Sequence, residues 1–331
     1  MPSAASRKFG VENARGCVKL GGAVSSYGDH GERCGHARSE DLPKGYIGNL
    51  RLFLSTFAPC SLNLDPPMDR PRFQKTQGIV LKNLPLGEAD RLLTLYTPHH
   101  GKVRAVAKGV RRVKSHLGGH LEPLVCAEVL IAKGRGALDV ISQAETVASH
   151  ARLRGDLWRT TCGIYATELV DQFGGEGLEN LGLYGLLRDT LARLSEDHSP
   201  PIVLRYFEMQ LLILTGFQPE LYSCLACNVT LSPTTNSFSP ALGGVLCPAC
   251  RRSDPLARPL FLNALKVLRL LARGSFETAS KVRLETDLAL EVEHTLRQYM
   301  RHLLEKDLKS TDFLDILRRE ESDAPAFTPT R

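Results

Sequence analysis

The sequence predicts an α+β protein built as an N-terminal five-stranded β-barrel followed by a helical domain that carries a four-cysteine metal ribbon. Three observations lead there. Short β-type segments run from Phe73 to Glu145 with no helical stretch between them. The apolar period changes to that of helices from Asp156 onward, and two Cys-x-x-Cys pairs lie inside the helical part.

The strands are read in order. Gln77–Lys82 contains Gly-Ile-Val-Leu, and Arg91–Tyr96 reads Arg-Leu-Leu-Thr-Leu-Tyr. Pro98-His-His-Gly101 makes a turn, because proline and glycine set the backbone angles that a reversal requires. Lys102–Lys108 alternates strongly, Leu124–Ala132 is a long apolar run, and Leu138–Gln143 follows the Gly134-Arg-Gly136 turn. Five short strands in one stretch favour a closed barrel. An OB-fold is the commonest such barrel, although strand periodicity alone does not separate it from an SH3-like one.

Further on, Trp158, Cys162, Tyr165, Leu169 and Phe173 share one helical stripe, closed by Gly174-Gly175. They read as core packing. Leu183–Leu194, Ile202–Leu214, Phe261–Leu271 and Leu288–Leu308 are further amphipathic helices. The expected boundaries are 71–150 for the barrel and 151–319 for the helical domain, with the ribbon at 221–252 and a disordered tail at 320–331. Residues 1–70 show neither helical nor strand period, and Met68 stands just before the first regular pattern. That stretch reads as a disordered extension or as sequence upstream of a true start at Met68, and the second reading is preferred.

The chain has 331 residues and a net charge of +6, and its location is more telling than its size. Between Arg72 and His150 there are 12 Lys and Arg against 6 Asp and Glu, while 1–71 and 151–331 are nearly balanced, at 9 against 7 and 21 against 23. Basic charge confined to one domain is the footprint of a polyanion. No apolar run approaches the ~20 residues that span a bilayer, so a membrane-spanning protein is not expected. Nine cysteines without a secretory signal fit a reducing cytoplasm better than a disulfide framework.

Strand period places Lys102, Arg104, Val106 and Lys108 on one face, with Val103, Ala105 and Ala107 turned toward the barrel interior. The strand runs into a loop holding Arg111, Arg112 and Lys114 beside flexible glycines. Lysine and arginine neutralise phosphates and release counterions, so these six residues form the candidate DNA-binding track. Aromatic residues for base stacking are scarce here, with Phe73 and Tyr96 the main candidates. Salt-sensitive binding through the phosphate backbone is therefore expected, without sequence readout.

Cys224-Leu-Ala-Cys227 and Cys247-Pro-Ala-Cys250 have the spacing of a structural zinc site. Each Cys-x-x-Cys turn presents two thiolates, and two such turns close a tetrahedron. One structural Zn²⁺ per chain is expected. Four thiolates leave no open position for catalysis. The sequence has no phosphate-binding Gly-x-x-x-x-Gly-Lys loop, no Gly-x-Ser-x-Gly and no His-Glu-x-x-His. The pairs Glu291/Glu293 and Glu320/Glu321 read as solvated faces. No catalytic residue is assigned and no enzymatic activity is expected.

Three stretches together resemble the recombination mediator RecO family. They are Gly78-Ile-Val-Leu with Gly87-Glu-Ala-Asp-Arg-Leu-Leu-Thr-Leu-Tyr-Thr97, Gly101-Lys-Val-Arg-Ala-Val-Ala-Lys-Gly-Val-Arg-Arg-Val-Lys-Ser115 with Leu121-Glu-Pro123, and Arg205-Tyr-Phe-Glu-Met-Gln-Leu-Leu with Thr215-Gly-Phe-Gln-Pro219 and Cys224-Leu-Ala-Cys227. The resemblance implies an OB-fold packed on a helical domain with a zinc ribbon, and a role in DNA repair and recombination through the RecF pathway. It implies binding of single- and double-stranded DNA, annealing of complementary strands, and help in loading a recombinase. The implied partners are RecR and the acidic C-terminal tail of single-strand binding protein, in the bacterial cytoplasm at the nucleoid. For that tail the candidates are Arg154 and Arg159 near Trp158, or Arg205 near Phe207. A competing reading is an RNA-binding transcription or translation factor built from a barrel and a zinc ribbon, which a preference for 2′-hydroxyl-bearing strands would reveal.

Overall fold

The alternation in the N-terminal part resolves into five strands, β1 (Phe73–Leu86), β2 (Asp90–Thr97), β3 (Gly101–Ala107), β4 (Cys126–Ala132) and β5 (Asp139–Ala148). The computed structural model describes residues 72–323 apart from Arg135, Ala137 and Asp197. The expectation about Met68 falls outside them. The strands close into a barrel in the order β1-β2-β3-β5-β4, with β1 hydrogen-bonded to both β2 and β4. Every ladder is antiparallel except β3–β5, where Ala105, Val106 and Ala107 run parallel to Asp139, Val140 and Ile141.

The apolar runs are continuous in β1 because this strand buries both faces. Val80 points into the barrel with Leu93, Leu95, Ala105, Ala107, Val129 and Ile141. Its neighbours Ile79 and Leu81 point outward and join a second core with Tyr165, Leu169 and Leu187. Gly101 turns the chain into β3 at φ +53°, and a Cβ there would collide with the Leu178 carbonyl, so only glycine fits the turn.

The helical region starts with a short turn, α1 (Ala151–Arg154), then α2 (Leu157–Phe173), α3 (Leu181–Ser195) and α4 (Pro200–Leu214). Asp156 caps α2 by accepting from the Arg159 N–H at 2.8 Å, and Asn180 caps α3 through the Leu183 N–H at 2.9 Å. A three-stranded sheet follows, of β6 (Asn236–Ser239), β7 (Gly244–Leu246) and β8 (Arg258–Leu260), in the order β7-β6-β8. The chain ends on α5 (Leu262–Arg273), the short α6 (Phe276–Ala279), α7 (Thr286–Leu304) and α8 (Lys309–Asp323).

Two sequence expectations are corrected here. The helix expected over Leu288–Leu308 ends at Leu304, because Glu305 takes a left-handed backbone at φ +53° and closes α7, and a separate helix, α8, begins at Lys309. Residues 320–323, expected to belong to a disordered tail, instead continue α8 to Asp323, and the rest of that tail lies outside the described residues.

Burial also corrects Glu293, which was expected on a solvated face and is 5% exposed. It sits in an ionic cluster among α4, α7 and α8. Arg318 donates to both carboxylate oxygens of Glu293 at 2.9 Å, and Arg205 approaches the same carboxylate at 2.9 Å. Arg205 also donates to Glu208 at 2.6 Å, where Tyr165 Oη donates at 2.7 Å. Burial pushes the Glu208 carboxyl up, against the pull of Arg205 and Tyr165. Burial opposes the charge on Glu293 too, but Arg205, Arg318 and Arg297 overcome it and hold that carboxyl below its ordinary value.

Candidate nucleic-acid interface and metal centre

The six basic residues expected to form one track divide into two groups. Ala105 and Ala107 point into the barrel, as the strand period requires. Lys102 does not reach solvent on the opposite face. Its Nζ donates to the Asp171 carbonyl at 2.6 Å and lies 3.5 Å from the Asp171 carboxylate, near the C-terminal end of α2, and its side chain is 11% exposed. Arg104 is exposed and pairs with Glu176 at 2.9 Å. Both residues are already matched by acidic partners that strand periodicity has no means of showing.

The other four, Lys108, Arg111, Arg112 and Lys114, are all exposed. Among the described residues Lys108, Arg112 and Lys114 have no acidic partner, and Arg111 meets only the Gly87 carbonyl, at 3.4 Å. Their loop is firmly held. The Gly109 N–H donates to Asp90 Oδ1 at 2.7 Å, the Arg111 N–H donates to the Ala89 carbonyl at 2.9 Å, and Val110 inserts into the barrel core. Two successive turns follow, Arg112 N–H to the Gly109 carbonyl at 3.1 Å and Ser115 N–H to the Arg112 carbonyl at 2.9 Å. The far end is tied to β5 through His120, whose Nδ1 lies 2.8 Å from Thr146 Oγ1 and accepts from the Thr146 N–H at 3.1 Å.

This loop and β5 enclose an open groove of about 580 Å³, lined by Lys108, Arg112, Lys114, Leu117, Ser142 and Gln143 among others. Positive charge along a groove wall is the arrangement that follows a phosphate backbone. The stacking candidates fare differently. Tyr96 is fully buried, its ring packed where a Cβ on Gly174 would come within 2.7 Å, and burial pushes its hydroxyl up to about 12. Phe73 remains 53% exposed at the start of β1.

The two Cys-x-x-Cys turns converge. The sulfurs of Cys224, Cys227, Cys247 and Cys250 all lie within 4.8 Å of one another, and Cys227 and Cys247 are 3.8 Å apart. A tetrahedral zinc with Zn–S bonds of about 2.3 Å has sulfur–sulfur edges of about 3.8 Å, so the donor set is compatible with zinc. The β6–β7 hairpin delivers Cys247 at the end of β7, and the Leu225 N–H donates to the Val245 carbonyl at 3.1 Å to hold the first turn against it. Burial opposes a charge on Cys224. Backbone N–H groups of Cys247, Cys227 and Ala226 nevertheless donate to its sulfur and bring its pKa down to about 6. Hydrogen bonds with Cys227 and Cys247 push the Cys250 thiol the other way, up to about 12.

Two family models match this chain, "Recombination protein O N terminal" over residues 70–150 and "Recombination protein O C terminal" over residues 154–312. The DNA repair protein RecO of Roseiflexus sp. is 40% identical over 250 residues, covering 76% of this chain and 88% of the relative. The chain belongs to the RecO family. RecO of Dehalococcoides mccartyi is 38% identical over 251 residues, 76% of this chain and 98% of the relative, and that of Desulforudis audaxviator is 39% identical over 241 residues, 72% and 95%. The RecO match spans both the basic barrel and the cysteine cluster. Within the described residues no helix is long and apolar enough to cross a membrane.

For the tail of single-strand binding protein, two of the sequence candidates are otherwise engaged. Arg205 is 3% exposed and belongs to the ionic cluster with Glu208 and Glu293. Arg159 donates to the Leu194 and Glu196 carbonyls at 2.8 and 2.5 Å, closing the end of α3. Arg154 is exposed, in a segment with the 60% exposed Leu157. Sequence pattern does not separate these three arginines: Arg159 meets carbonyls 35 and 37 positions on, and Arg205 is drawn into the core by Glu293, 88 positions on, as well as by Glu208 on its own helix.

Proposed function

We propose that this protein is a non-enzymatic mediator of DNA repair and recombination in the RecF pathway. It binds single- and double-stranded DNA, anneals complementary strands and helps load a recombinase onto DNA coated with single-strand binding protein. The observation that carries this reading is the held loop Lys108–Lys114, whose Lys108, Arg112 and Lys114 have no acidic partner among the described residues and border an open groove, while the neighbouring Lys102 and Arg104 pair with Asp171 and Glu176. Annealing needs charge neutralisation and local concentration of two strands, because base pairing supplies the driving energy. The strand order and the parallel β3–β5 ladder favour an OB-type barrel over an SH3-like one. Zn²⁺ on Cys224, Cys227, Cys247 and Cys250 would hold the ribbon together without taking part in chemistry. Arg154 is the cation we assign to the acidic tail of single-strand binding protein, with RecR as a second protein partner and the bacterial cytoplasm, at the nucleoid, as the setting.

The test is annealing of complementary strands coated with single-strand binding protein, without ATP. Acceleration that weakens when that protein lacks its acidic tail supports the proposal. Equal rates with intact and tailless forms remove the partner, and no acceleration even on bare DNA removes annealing. RNA of the same sequence, run in parallel, separates a DNA protein from an RNA-binding factor.

A further inference from the structure

Strand β5 breaks its alternation where it faces the basic loop. Regular alternation would turn Ile141 inward, Ser142 outward, Gln143 inward and Ala144 outward. Instead Leu130 pairs with Gln143 and Ile131 with Ile141, so Ser142 is an extra residue with no partner on β4. Ile141 and Ala144 pack on the barrel core, while Ser142 and Gln143 are both exposed. The Ser142 hydroxyl donates to the Leu130 carbonyl at 3.0 Å and holds the bulge. A bulge of this kind re-aims a side chain at the expense of local pairing. Here it turns Gln143 out of the barrel and into the groove beneath the loop. Among the described residues the Gln143 amide has no hydrogen-bond partner.

The two walls of that groove differ in charge. Lys108, Arg112 and Lys114 come from the loop, whereas β5 supplies Ser142, Gln143 and Ala144, none of them charged. A single strand is two-sided as well, with phosphates along one edge and bases along the other. Its phosphates go to the cations, and its bases then face β5. We propose that Gln143 is a base-contacting residue, which hydrogen-bonds the edges of unpaired bases in a strand whose phosphates lie on the loop. This rests on the reading of the loop as a DNA site and adds the direction in which a strand is laid across it. The amide offers two donors and an acceptor, and every base carries both kinds of group on its edges. By turning about its last bond the amide can therefore serve any base, in keeping with binding that does not read sequence. In a duplex the pairing edges are taken by the complementary strand. The contact is thus confined to unpaired bases and is released as pairs form.

The experiment compares three ligands of equal length: an oligothymidylate, the same backbone with abasic sugars, and a duplex. The wild-type protein is expected to prefer the base-bearing strand to the abasic one. Gln143→Met keeps the length of the side chain and removes its hydrogen bonds. It should lose about twofold to tenfold in affinity for the oligothymidylate, the scale of one hydrogen bond. Its affinity for the abasic strand and the duplex, and its salt slope, should stay unchanged. Gln143→Ala should divide the three ligands in the same way. Because Gln143 is exposed and outside the barrel core, thermal unfolding of both variants should match the wild type and is measured alongside. Wild-type affinity of both variants for the oligothymidylate overturns the proposal. An equal loss on all three ligands also overturns it, because the amide would then be acting on the backbone. Failure of the loop as a DNA site shows separately, as an unchanged salt slope when Arg111, Arg112 and Lys114 are replaced together.

Discussion

Lys102 on β3 and Asp171 on α2 join the barrel to the helical region across 69 positions of sequence, the ammonium donating to the Asp171 carbonyl at 2.6 Å while lying 3.5 Å from its carboxylate. Lys82 from β1 reaches the other oxygen of that carboxylate at 2.6 Å. One acidic side chain is thus shared by two strands. A cation at the C-terminal end of a helix is also favoured by the helix dipole.

Lys102→Met is therefore expected to act on stability more than on DNA. It should cost about 1.5–3 kcal/mol, the range for a hydrogen bond involving a charged group, and leave the salt slope of DNA binding unchanged. Denaturant unfolding and a salt titration decide this. A lower slope with unaltered stability would return Lys102 to the DNA-contacting residues.

Replacing Arg111, Arg112 and Lys114 with alanine should weaken DNA binding by a similar factor for all sequences. The slope of log affinity against log salt should fall by about 0.7 to 0.9 per lost phosphate contact. An unchanged slope defeats the assignment of this loop.

Elemental analysis of protein purified under reducing conditions should find one zinc per chain. Cys247→Ser should remove it and lower the unfolding temperature, because metal binding and folding are coupled, while any protein that remains folded keeps its single-strand affinity. Protein that is fully folded and free of zinc would sink this expectation.

Acid should destabilise the protein through Glu293. Its carboxyl is held below its ordinary value in the folded state, so the stability it contributes is present above the unfolded value of about 4.3 and is lost as pH falls through the folded one. Glu293→Gln should flatten the dependence of urea midpoint on pH below about 5. It should also cost about 3–5 kcal/mol at neutral pH by leaving the buried Arg205 without one of its partners. An equally steep acid dependence in this variant would mean that other carboxylates govern it.

Protein starting at Met68 should bind DNA as the full chain does. The first described strand begins at Phe73, and the family match begins at residue 70. Loss of binding or of barrel stability on removing residues 1–67 would show that the upstream sequence contributes.

The readable parts of this fold are those governed by local period or spacing. Ala105 and Ala107 announce the barrel interior by alternation, and the paired cysteines announce a metal cluster by their two-residue gaps. The hidden parts depend on distant partners or on unmarked backbone. Nothing around Lys102 points to Asp171, and nothing around Glu293 points to Arg205 and Arg318. The break between α7 and α8 falls at a glutamate, not at a glycine or proline. The one signal there is the polar run Glu305-Lys306-Asp307, which interrupts the apolar stripe.

The parallel pairing of β3 with β5 sets an order of events for the newly made chain. Hairpins such as β1–β2 and β2–β3 join neighbours in sequence and can zip early, whereas β3 meets β5 only after the arginine-bearing loop and the whole of β4 have crossed over. Barrel closure, which also requires β1 to meet β4 across 47 to 59 positions, is expected to follow the hairpins. Until it is complete, both β3 and β5 present bare edges to other chains, and the nascent protein is most exposed to misassembly during the interval in which its cationic arch is being drawn across.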